Sequence, residues 1–197
     1  MSYLNTIEWE IVPETIPEVK RNCPKCGEKK NYISSEKFRV NANGPLIDIW
    51  LIYQCKKCKS TWNMAIHERT NIKEISKDKY EKFLSNDKEL AMEYGFDMNI
   101  HNKNRTEIIW DSVKYHIISK ELNRAGKMEN EQQYIIRCKY QLPIRVDRLL
   151  CEKLCISRSK VKDLYEKGAI YSQENSNILK LKIFDGMLIC INNKYFE

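Results

Sequence analysis

Four cysteines near the start of the chain are the residues whose spacing most clearly predicts chemistry. They form two C-x-x-C pairs separated by residues 27–54, namely Cys23 with Cys26 and Cys55 with Cys58. Two tight turns of this spacing can bring four thiolates to the corners of a tetrahedron, the geometry that zinc prefers. Because four protein ligands leave zinc no open position for a substrate, we predict a structural Zn²⁺ site and not a catalytic one.

A redox-active pair and two disulfides are the alternatives to a metal site. A redox-active C-x-x-C pair is expected beside a βαβ pattern, which the sequence around both pairs lacks. Disulfides are rare in reducing compartments, and residues 1–10 contain neither the basic segment nor the apolar run of a signal peptide. The eight cysteines therefore favour metal binding in a cytoplasmic protein. No role is assigned to the remaining four, Cys138, Cys151, Cys155 and Cys190.

The composition is that of a soluble globular protein. Hydrophobic residues make up 42% and charged residues 31% of the 197 residues. The longest apolar run, residues 49–53, is far too short to cross a bilayer, so we expect no membrane contact. The net charge of +7 lies mainly toward the two ends of the chain, which suits a polyanionic partner. A biased genome base composition explains the same lysine excess, so charge alone decides nothing.

Strand signals surround the cysteine pairs. Residues 7–12 alternate apolar and polar side chains, and residues 61–66 have a strand pattern after the second pair. Between the pairs, Asn43-Gly44 predicts a hairpin, because both residues tolerate positive φ. Two cysteine turns joined by a hairpin, the first reading Cys-Pro-x-Cys-Gly, resemble a zinc ribbon. We place this ribbon at residues 1–70.

Six lysines lie around the two cysteine turns. They could contact phosphates or only keep a small domain in solution, and the sequence leaves both interpretations open. A protein partner bound through the ribbon is also open. His67 is expected to be structural, because four cysteines already complete the metal's ligand shell. The six lysines are Lys25, Lys29, Lys30, Lys56, Lys57 and Lys59.

Residues 71–137 are predicted to be a helical segment followed by a linker. Ser76 and Asn86 are placed to cap two helices. A third helix is predicted over residues 106–123, and the polar residues 127–133 mark the linker into the last domain.

No arrangement of catalytic residues is evident in the sequence. His101 and His116 have no cysteine or serine partner. There is neither a glycine-rich phosphate loop nor an H-E-x-x-H metal motif. We therefore do not expect an enzyme.

The C-terminal segment, residues 138–197, is predicted to begin with two short helices that carry positive charge at their starts. Cations there oppose the helix dipole, so helix stability does not require them. Helix-start amides and arginine side chains together form a good phosphate site. A solvated polar face is the alternative. The cations are Arg145 and Arg148 in the first helix, and Arg158, Lys160 and Lys162 in the second.

Apolar residues predict which faces of this segment are buried. The second helix is predicted to begin after Ser157 and to bury Val161, Leu164 and Tyr165. A strand is then predicted over residues 179–183.

This segment resembles the alpha-L RNA-binding module, named after small-subunit ribosomal protein S-four. The shared pattern is R-x-D-x-x-L, a spacer, S-R-S-x-x-x-x-L and x-x-x-G, which begins at Arg145 and resumes at Ser157. The resemblance covers residues 143–192. Cys155 stands where the module usually has a helix-ending glycine.

The resemblance implies that the two helices face structured RNA. The residues that it implies as contacts are Arg145, Arg148, Arg158, Ser159 and Lys162, and Lys160 completes the candidate RNA-binding set.

The whole chain is similar to a bacterial family known only as domain of unknown function 1062. Residues 35–44, residues 50–55 and the tripeptide Thr61-Trp62-Asn63 carry this similarity. The similarity implies the order of the domains but no activity.

These patterns predict an α+β fold with a zinc ribbon at residues 1–70, a helical middle segment and linker at 71–137, and an alpha-L-like module at 138–197. The predicted function is a cytoplasmic RNA-binding protein that recognises backbone shape, with ribosomal RNA as one candidate partner. The alternative is a protein-interaction adaptor or a DNA-binding regulator, in which the ribbon supplies the contact surface.

Overall fold

The computed structural model describes residues 5–123, 131–172 and 177–195, which form an α+β fold, as predicted. The chain divides into two compact units. The cysteine unit holds Pro13–Lys114, and the split unit holds the described residues before and after it. None of the helices in these ranges combines the length and the apolar character that crossing a bilayer requires.

Strands and short α-helices make up the described ranges. The strands are β1 (Asn5–Pro13), β2 (Glu18–Cys23), β3 (Glu28–Asn43), β4 (Leu46–Cys55), β5 (Thr61–Asn71), β6 (Glu107–Ile109), β7 (Tyr115–Asn123), β8 (Glu131–Arg137), β9 (Ile170–Tyr171) and β10 (Leu188–Asn192). The α-helices are α1 (Lys77–Ser85), α2 (Lys88–Phe96), α3 (Met98–Lys103), α4 (Val146–Leu154) and α5 (Arg158–Glu166).

The cysteine unit is built on an antiparallel sheet in the order β5-β4-β3-β2-β6. The predicted hairpin is confirmed, since β3 ends at Asn43, Gly44 has a φ of 59° and β4 begins at Leu46. Alternate side chains of β4, from Ile47 to Cys55, are fully buried. The strand that builds the core therefore also delivers a cysteine sulfur to the interior.

Helices α1 and α2 begin near their predicted caps. The Ser76 side chain caps α1 by accepting a hydrogen bond from the backbone N–H of Lys79. Asn86, predicted to cap α2, instead ends α1 in the left-handed conformation with a φ of 56°, and Asp87 caps α2. The Asn86 side chain accepts a hydrogen bond from the backbone N–H of Phe38. This bond ties α1 to β3, a role that the local sequence does not reveal.

The helix predicted over residues 106–123 is wrong. Glu107–Ile109 form β6, which pairs with β2 in the cysteine unit. Tyr115–Asn123 form β7 in the sheet of the split unit. This segment pairs with two different sheets, and such pairing outweighs a local helical pattern. Of the predicted linker, residues 127–130 lie outside the described part of the chain, and its remaining residues begin β8.

The split unit is built on a sheet in the order β7-β1-β8-β10-β9. β1 runs parallel to β8, with Trp9 opposite Ile136, and β10 runs antiparallel to both β8 and β9. Trp9 and Ile11 are buried, so β1 contributes to a hydrophobic core. The predicted segment borders at residues 70 and 137 do not coincide with the two units.

Helices α4 and α5 form in the predicted places. The Ser157 side chain caps α5 by accepting a hydrogen bond from the backbone N–H of Lys160. Val161 and Leu164 are buried as predicted, but Tyr165 is only half-buried.

The strand predicted over residues 179–183 is not formed. Ile178–Lys180 form a 3-10 turn, and a single bridge joins Lys182 to Arg145. The residue that follows this turn accepts a hydrogen bond at the start of α4, since the backbone N–H of Val146 donates to the carbonyl oxygen of Leu181 at 3.0 Å.

Candidate metal centre and cationic cleft

The four predicted metal ligands come together in the cysteine unit. Their Sγ atoms all lie within 4.8 Å of one another, and those of Cys23 and Cys58 are 3.5 Å apart. Zinc–sulfur bonds of about 2.3 Å place the sulfurs of a tetrahedral site about 3.8 Å apart. The sulfur cluster therefore fits a single tetrahedral metal ion.

The two cysteine turns share one backbone geometry. The N–H of Gly27 donates to the carbonyl oxygen of Cys23 at 2.9 Å, and the N–H of Lys59 donates to that of Cys55 at 3.0 Å. Gly27 and Lys59 are both left-handed, with φ of 71° and 60°. Glycine adopts this conformation freely, whereas for a residue with a side chain it costs about 1–2 kcal/mol. The second turn keeps its geometry in spite of that local cost.

Ser60, which sequence analysis did not single out, contacts two of the sulfurs. Its Oγ lies 3.0 Å from the Sγ of Cys58 and 3.4 Å from that of Cys23. Hydrogen bonds from Ser60 and Tyr32 lower the pKa of Cys23 to about 5. Desolvation and the neighbouring thiols raise the pKa of Cys26 to about 12. The four thiols thus do not ionise together unaided, whereas a coordinated metal ion deprotonates each thiol that binds it.

Acidic side chains lie beside most of the lysines around the cysteine turns. Four of the six lysines form ion pairs, so this surface carries mixed charge and is not a uniform basic patch. The pairs are Lys29 with Glu107 (3.8 Å), Lys30 with Glu28 (2.8 Å), Lys57 with Glu28 (3.6 Å) and Lys56 with Glu18 (2.8 Å).

The other residues considered as ligands lie apart from this cluster. His67 packs edge-on against Phe83, with 6.0 Å between ring centroids, and is not part of the sulfur cluster within the described ranges. The four remaining cysteines are free thiols of the split unit, among which Cys138 and Cys190 are buried and Cys155 is exposed.

A second candidate site lies in the split unit. Helices α4 and α5 and the turn Ile178–Lys180 surround a cleft of about 450 Å³. Four of the six predicted RNA contacts line it, namely Arg145, Arg158, Ser159 and Lys162. Arg148 and Lys160 are not among its lining residues. Sequence analysis missed the other lining side chains, which are Asp147, Tyr165, Glu166, Asn177, Leu179 and Lys180.

Asp147 fixes the side chain of Arg145 at the edge of the cleft. The Nε and Nη2 atoms of Arg145 donate to the two carboxylate oxygens of Asp147 at 3.1 and 2.8 Å. The Asp147 side chain is 14% exposed and that of Arg145 is 49% exposed. A bidentate ion pair of this kind fixes the plane of the guanidinium group and compensates its charge. Arg145 therefore offers the cleft an oriented guanidinium plane whose charge is largely compensated.

The cations of α5 are held less firmly. Arg158, at the first position of the helix, has no carboxylate within ion-pair distance in the described part of the chain. Lys162 lies 3.4 Å from Glu166, but both side chains are more than 60% exposed, and such surface pairs contribute little. These two side chains are free to turn toward an anion in the cleft.

Cys155 ends α4 in the left-handed conformation, with a φ of 53°. Glycine is the usual residue at such a helix end. The backbone therefore adopts the glycine-type ending although a cysteine occupies the position.

Comparison with known proteins gives a family match and one short similarity. A family model described as "Protein of unknown function (DUF1062)" matches residues 40–176, more than half of the chain. Protein EcdD of Escherichia coli O157:H7 is 38% identical over 40 residues, which are 20% of this chain and 42% of that protein. The chain thus matches less than half the length of this curated relative. No solved structure matches the chain.

Proposed function

The chain belongs to the family described as "Protein of unknown function (DUF1062)", and we propose from its own residues that it is a zinc-containing RNA-binding protein. In this proposal a structural Zn²⁺ ion stabilises the cysteine unit, and the cleft of the split unit binds RNA. The expected partner is structured RNA, with ribosomal RNA as one candidate.

The donor set supports zinc. Four thiolates around one tetrahedral position select zinc or iron among common metals. The protein purified without added metal is expected to carry one zinc ion per chain, measured by mass spectrometry of the metal content. One iron ion per chain would keep a metal centre but contradict zinc, and a metal-free chain with an intact cysteine unit would contradict both.

The observation that carries RNA binding is the convergence of Arg145, Arg158, Ser159 and Lys162 on one cleft. Arg145, Arg158 and Ser159 lie at the starts of two helices, where backbone N–H groups also favour anions, and Lys162 follows one turn into α5. Helix stability gives no reason for cations at these positions. The glycine-type ending of α4 at Cys155 supports the resemblance to the alpha-L module.

Salt dependence tests this assignment. About four phosphate contacts give a logarithmic slope of affinity against salt of about −3 to −4. The triple variant Arg145→Ala, Arg158→Ala, Lys162→Ala should reduce the magnitude of this slope by about 2 in filter binding with total ribosomal RNA, because Asp147 already compensates the charge of Arg145. The matched control replaces three exposed lysines of the cysteine unit, Lys73, Lys77 and Lys88, by alanine and should leave the slope unchanged. Equal slopes for both triple variants would contradict binding through the cleft.

The mixed charge around the cysteine turns favours a second candidate, in which the cysteine unit binds a protein. Lysines that are ion-paired with acidic side chains are poorly suited to binding a phosphate backbone, but they suit a polar protein interface. Affinity purification distinguishes the candidates. RNA that copurifies and is lost in the triple cleft variant supports the first, whereas a protein partner retained after nuclease treatment supports the second. Tighter binding to a DNA duplex than to RNA would favour a DNA-binding regulator.

A further inference from the structure

The side chains that α5 contributes to the cleft form a row that changes character along the helix. Arg158, Lys162 and Tyr165 stand at positions i, i+4 and i+7, so they share one face of the helix. At 1.5 Å per residue, the row extends about 10 Å along the helix axis. One end is cationic and the other end is aromatic.

The cationic end suits a single phosphate group. Arg158 occupies the first turn of α5, and Lys162 follows one turn later on the same face. The Ser159 hydroxyl, 2.9 Å from the Ser157 hydroxyl, lies between them along the chain. Guanidinium, ammonium and hydroxyl groups together supply several donors to a phosphate's oxygens.

The aromatic end suits a flat, apolar group. Tyr165 is half-buried, and Leu179, which is 8% exposed, lines the same cleft. Arg145 adds a guanidinium plane whose orientation Asp147 sets. Nucleobases that leave a helical stack are commonly held between aromatic rings and arginine planes. Asn177 adds a side-chain amide, which offers both a donor and an acceptor to a base edge.

We infer that the cleft takes one unpaired nucleotide of an RNA strand, with its phosphate at Arg158 and Lys162 and its base against Tyr165. This inference rests on the proposed RNA binding and narrows it. The cleft volume of about 450 Å³ lies within the range of sites for small organic groups. A base inside a regular duplex is paired and stacked, so only a bulged, looped or terminal nucleotide can enter.

The experiment compares two fluorescein-labelled RNA hairpins that differ only by one bulged adenosine. Fluorescence anisotropy should show about 5- to 150-fold tighter binding of the bulged hairpin, the range expected when one base gains an aromatic stacking partner. Equal affinities would overturn the inference while leaving RNA binding intact. Failure of both hairpins and of ribosomal RNA to bind would overturn the inference together with the proposed function.

Substitutions at Tyr165 test the base-binding end. Tyr165→Leu should remove the preference for the bulged hairpin over the paired one, whereas Tyr165→Phe should keep that preference. Tyr195→Leu, at an exposed tyrosine that does not line the cleft, is the matched control. A preference that survives Tyr165→Leu would overturn the inference. If that variant does not fold, the two hairpins still decide the question with the unsubstituted protein.

A free nucleotide offers the same chemistry as a bulged one, so AMP is titrated in parallel. We expect AMP to displace the bulged hairpin only at concentrations far above the dissociation constant of the hairpin, because it lacks the flanking phosphates. AMP that binds more tightly than the hairpin would overturn the assignment to RNA and make the cleft a site for a free nucleotide.

Discussion

The metal centre and the cleft are both built on short sequence motifs, but they differ in how far the protein alone determines their geometry. At the metal centre, matching backbone turns hold four sulfurs within 4.8 Å of one another. At the cleft, only Arg145 is fixed by a two-bond partner, while Arg158 and Lys162 project toward solvent. A small metal ion requires a preformed coordination geometry, whereas an anionic polymer binds well to side chains that can change their conformation. The two regions should therefore respond differently to substitution.

The largest contrast is expected between two cysteine-to-serine substitutions. Cys55→Ser removes a ligand of the proposed zinc site, whose binding contributes about 10–16 kcal/mol and so rivals the whole stability of a domain. We expect loss of bound zinc and unfolding of Pro13–Lys114, measured by metal content and hydrogen exchange. Cys155→Ser, at an exposed thiol of the split unit, should change neither. A Cys55→Ser protein that folds and binds zinc would contradict the claim that the metal centre requires all four sulfurs.

A smaller effect is expected when the ligands stay and their hydrogen-bond donor is removed. Ser60→Ala deletes the hydroxyl beside Cys58 and Cys23, and the loss of such a supporting group typically lowers metal affinity by about 10- to 100-fold. Competition with a chromophoric chelator measures this change. Ser85→Ala, at an exposed serine on α1, is the control. Unchanged zinc affinity in Ser60→Ala would show that the sulfurs alone define the site.

Acid should weaken the cysteine unit through a buried histidine. His101 is 1% exposed and both ring nitrogens have partners, the Gly95 carbonyl oxygen at 2.8 Å and the Thr106 hydroxyl at 2.7 Å. Burial lowers the pKa of His101 below its value of about 6.5 in an unfolded chain. The unfolded state therefore binds the proton first, and the free energy of unfolding falls as pH drops below about 6.5, by at most about 1.4 kcal/mol per pH unit.

Urea denaturation from pH 7.5 to 5.5, with zinc content followed in parallel, measures this slope. His101→Gln should flatten it, and the control His116→Gln, at an exposed histidine of the split unit, should not. Burial also lowers the pKa of His67, so some acid sensitivity should remain in His101→Gln. If His101→Gln does not change the pH dependence of the free energy of unfolding, the acid sensitivity comes from other groups.

The smallest predicted effect is a gain in stability, and it should appear in both regions. Lys59 and Cys155 adopt left-handed backbone conformations with φ of 60° and 53°. Replacing either by glycine relieves a cost of about 1–2 kcal/mol, partly offset by the greater freedom of glycine in the unfolded chain. We expect thermal denaturation of Lys59→Gly and Cys155→Gly to shift upward by a few degrees. Gly44→Ala, at a hairpin glycine with a φ of 59°, should shift it downward.

The metal ligands were predictable because their geometry is local. Each C-x-x-C turn lies within a few residues, so spacing alone indicated the site, and the Asn43-Gly44 signal indicated the hairpin that joins the two turns. The position of Ser60, two residues after Cys58, was the signal available for the missing hydroxyl donor. The pairing of Glu18 with Lys56 depends on strands brought together from distant parts of the sequence, and no local pattern encodes it.

The cleft was predictable only in part. The sequence predicted the cations Arg145, Arg158 and Lys162 from their positions in the two helices. It did not predict that Tyr165 would line the same cleft. Helical spacing predicted that Tyr165 would be buried with Leu164, but it could not show that Tyr165 lines a cleft together with Leu179 and Lys180, which are distant in sequence. The helix expected over residues 106–123 failed for the same reason, since pairing with two separate sheets overrides local preference.

The parallel pairing of β1 with β8 determines the order in which the protein can assemble during its synthesis. β1 is made before both of its neighbours in the sheet, β7 and β8, and β8 follows about 120 residues later, a delay on the order of 6–24 s at typical elongation rates. The cysteine unit is complete before either neighbour exists, so it can fold while β1 is still unpaired. A deletion of β1 should therefore disturb the cleft and spare the cysteines that follow it in sequence.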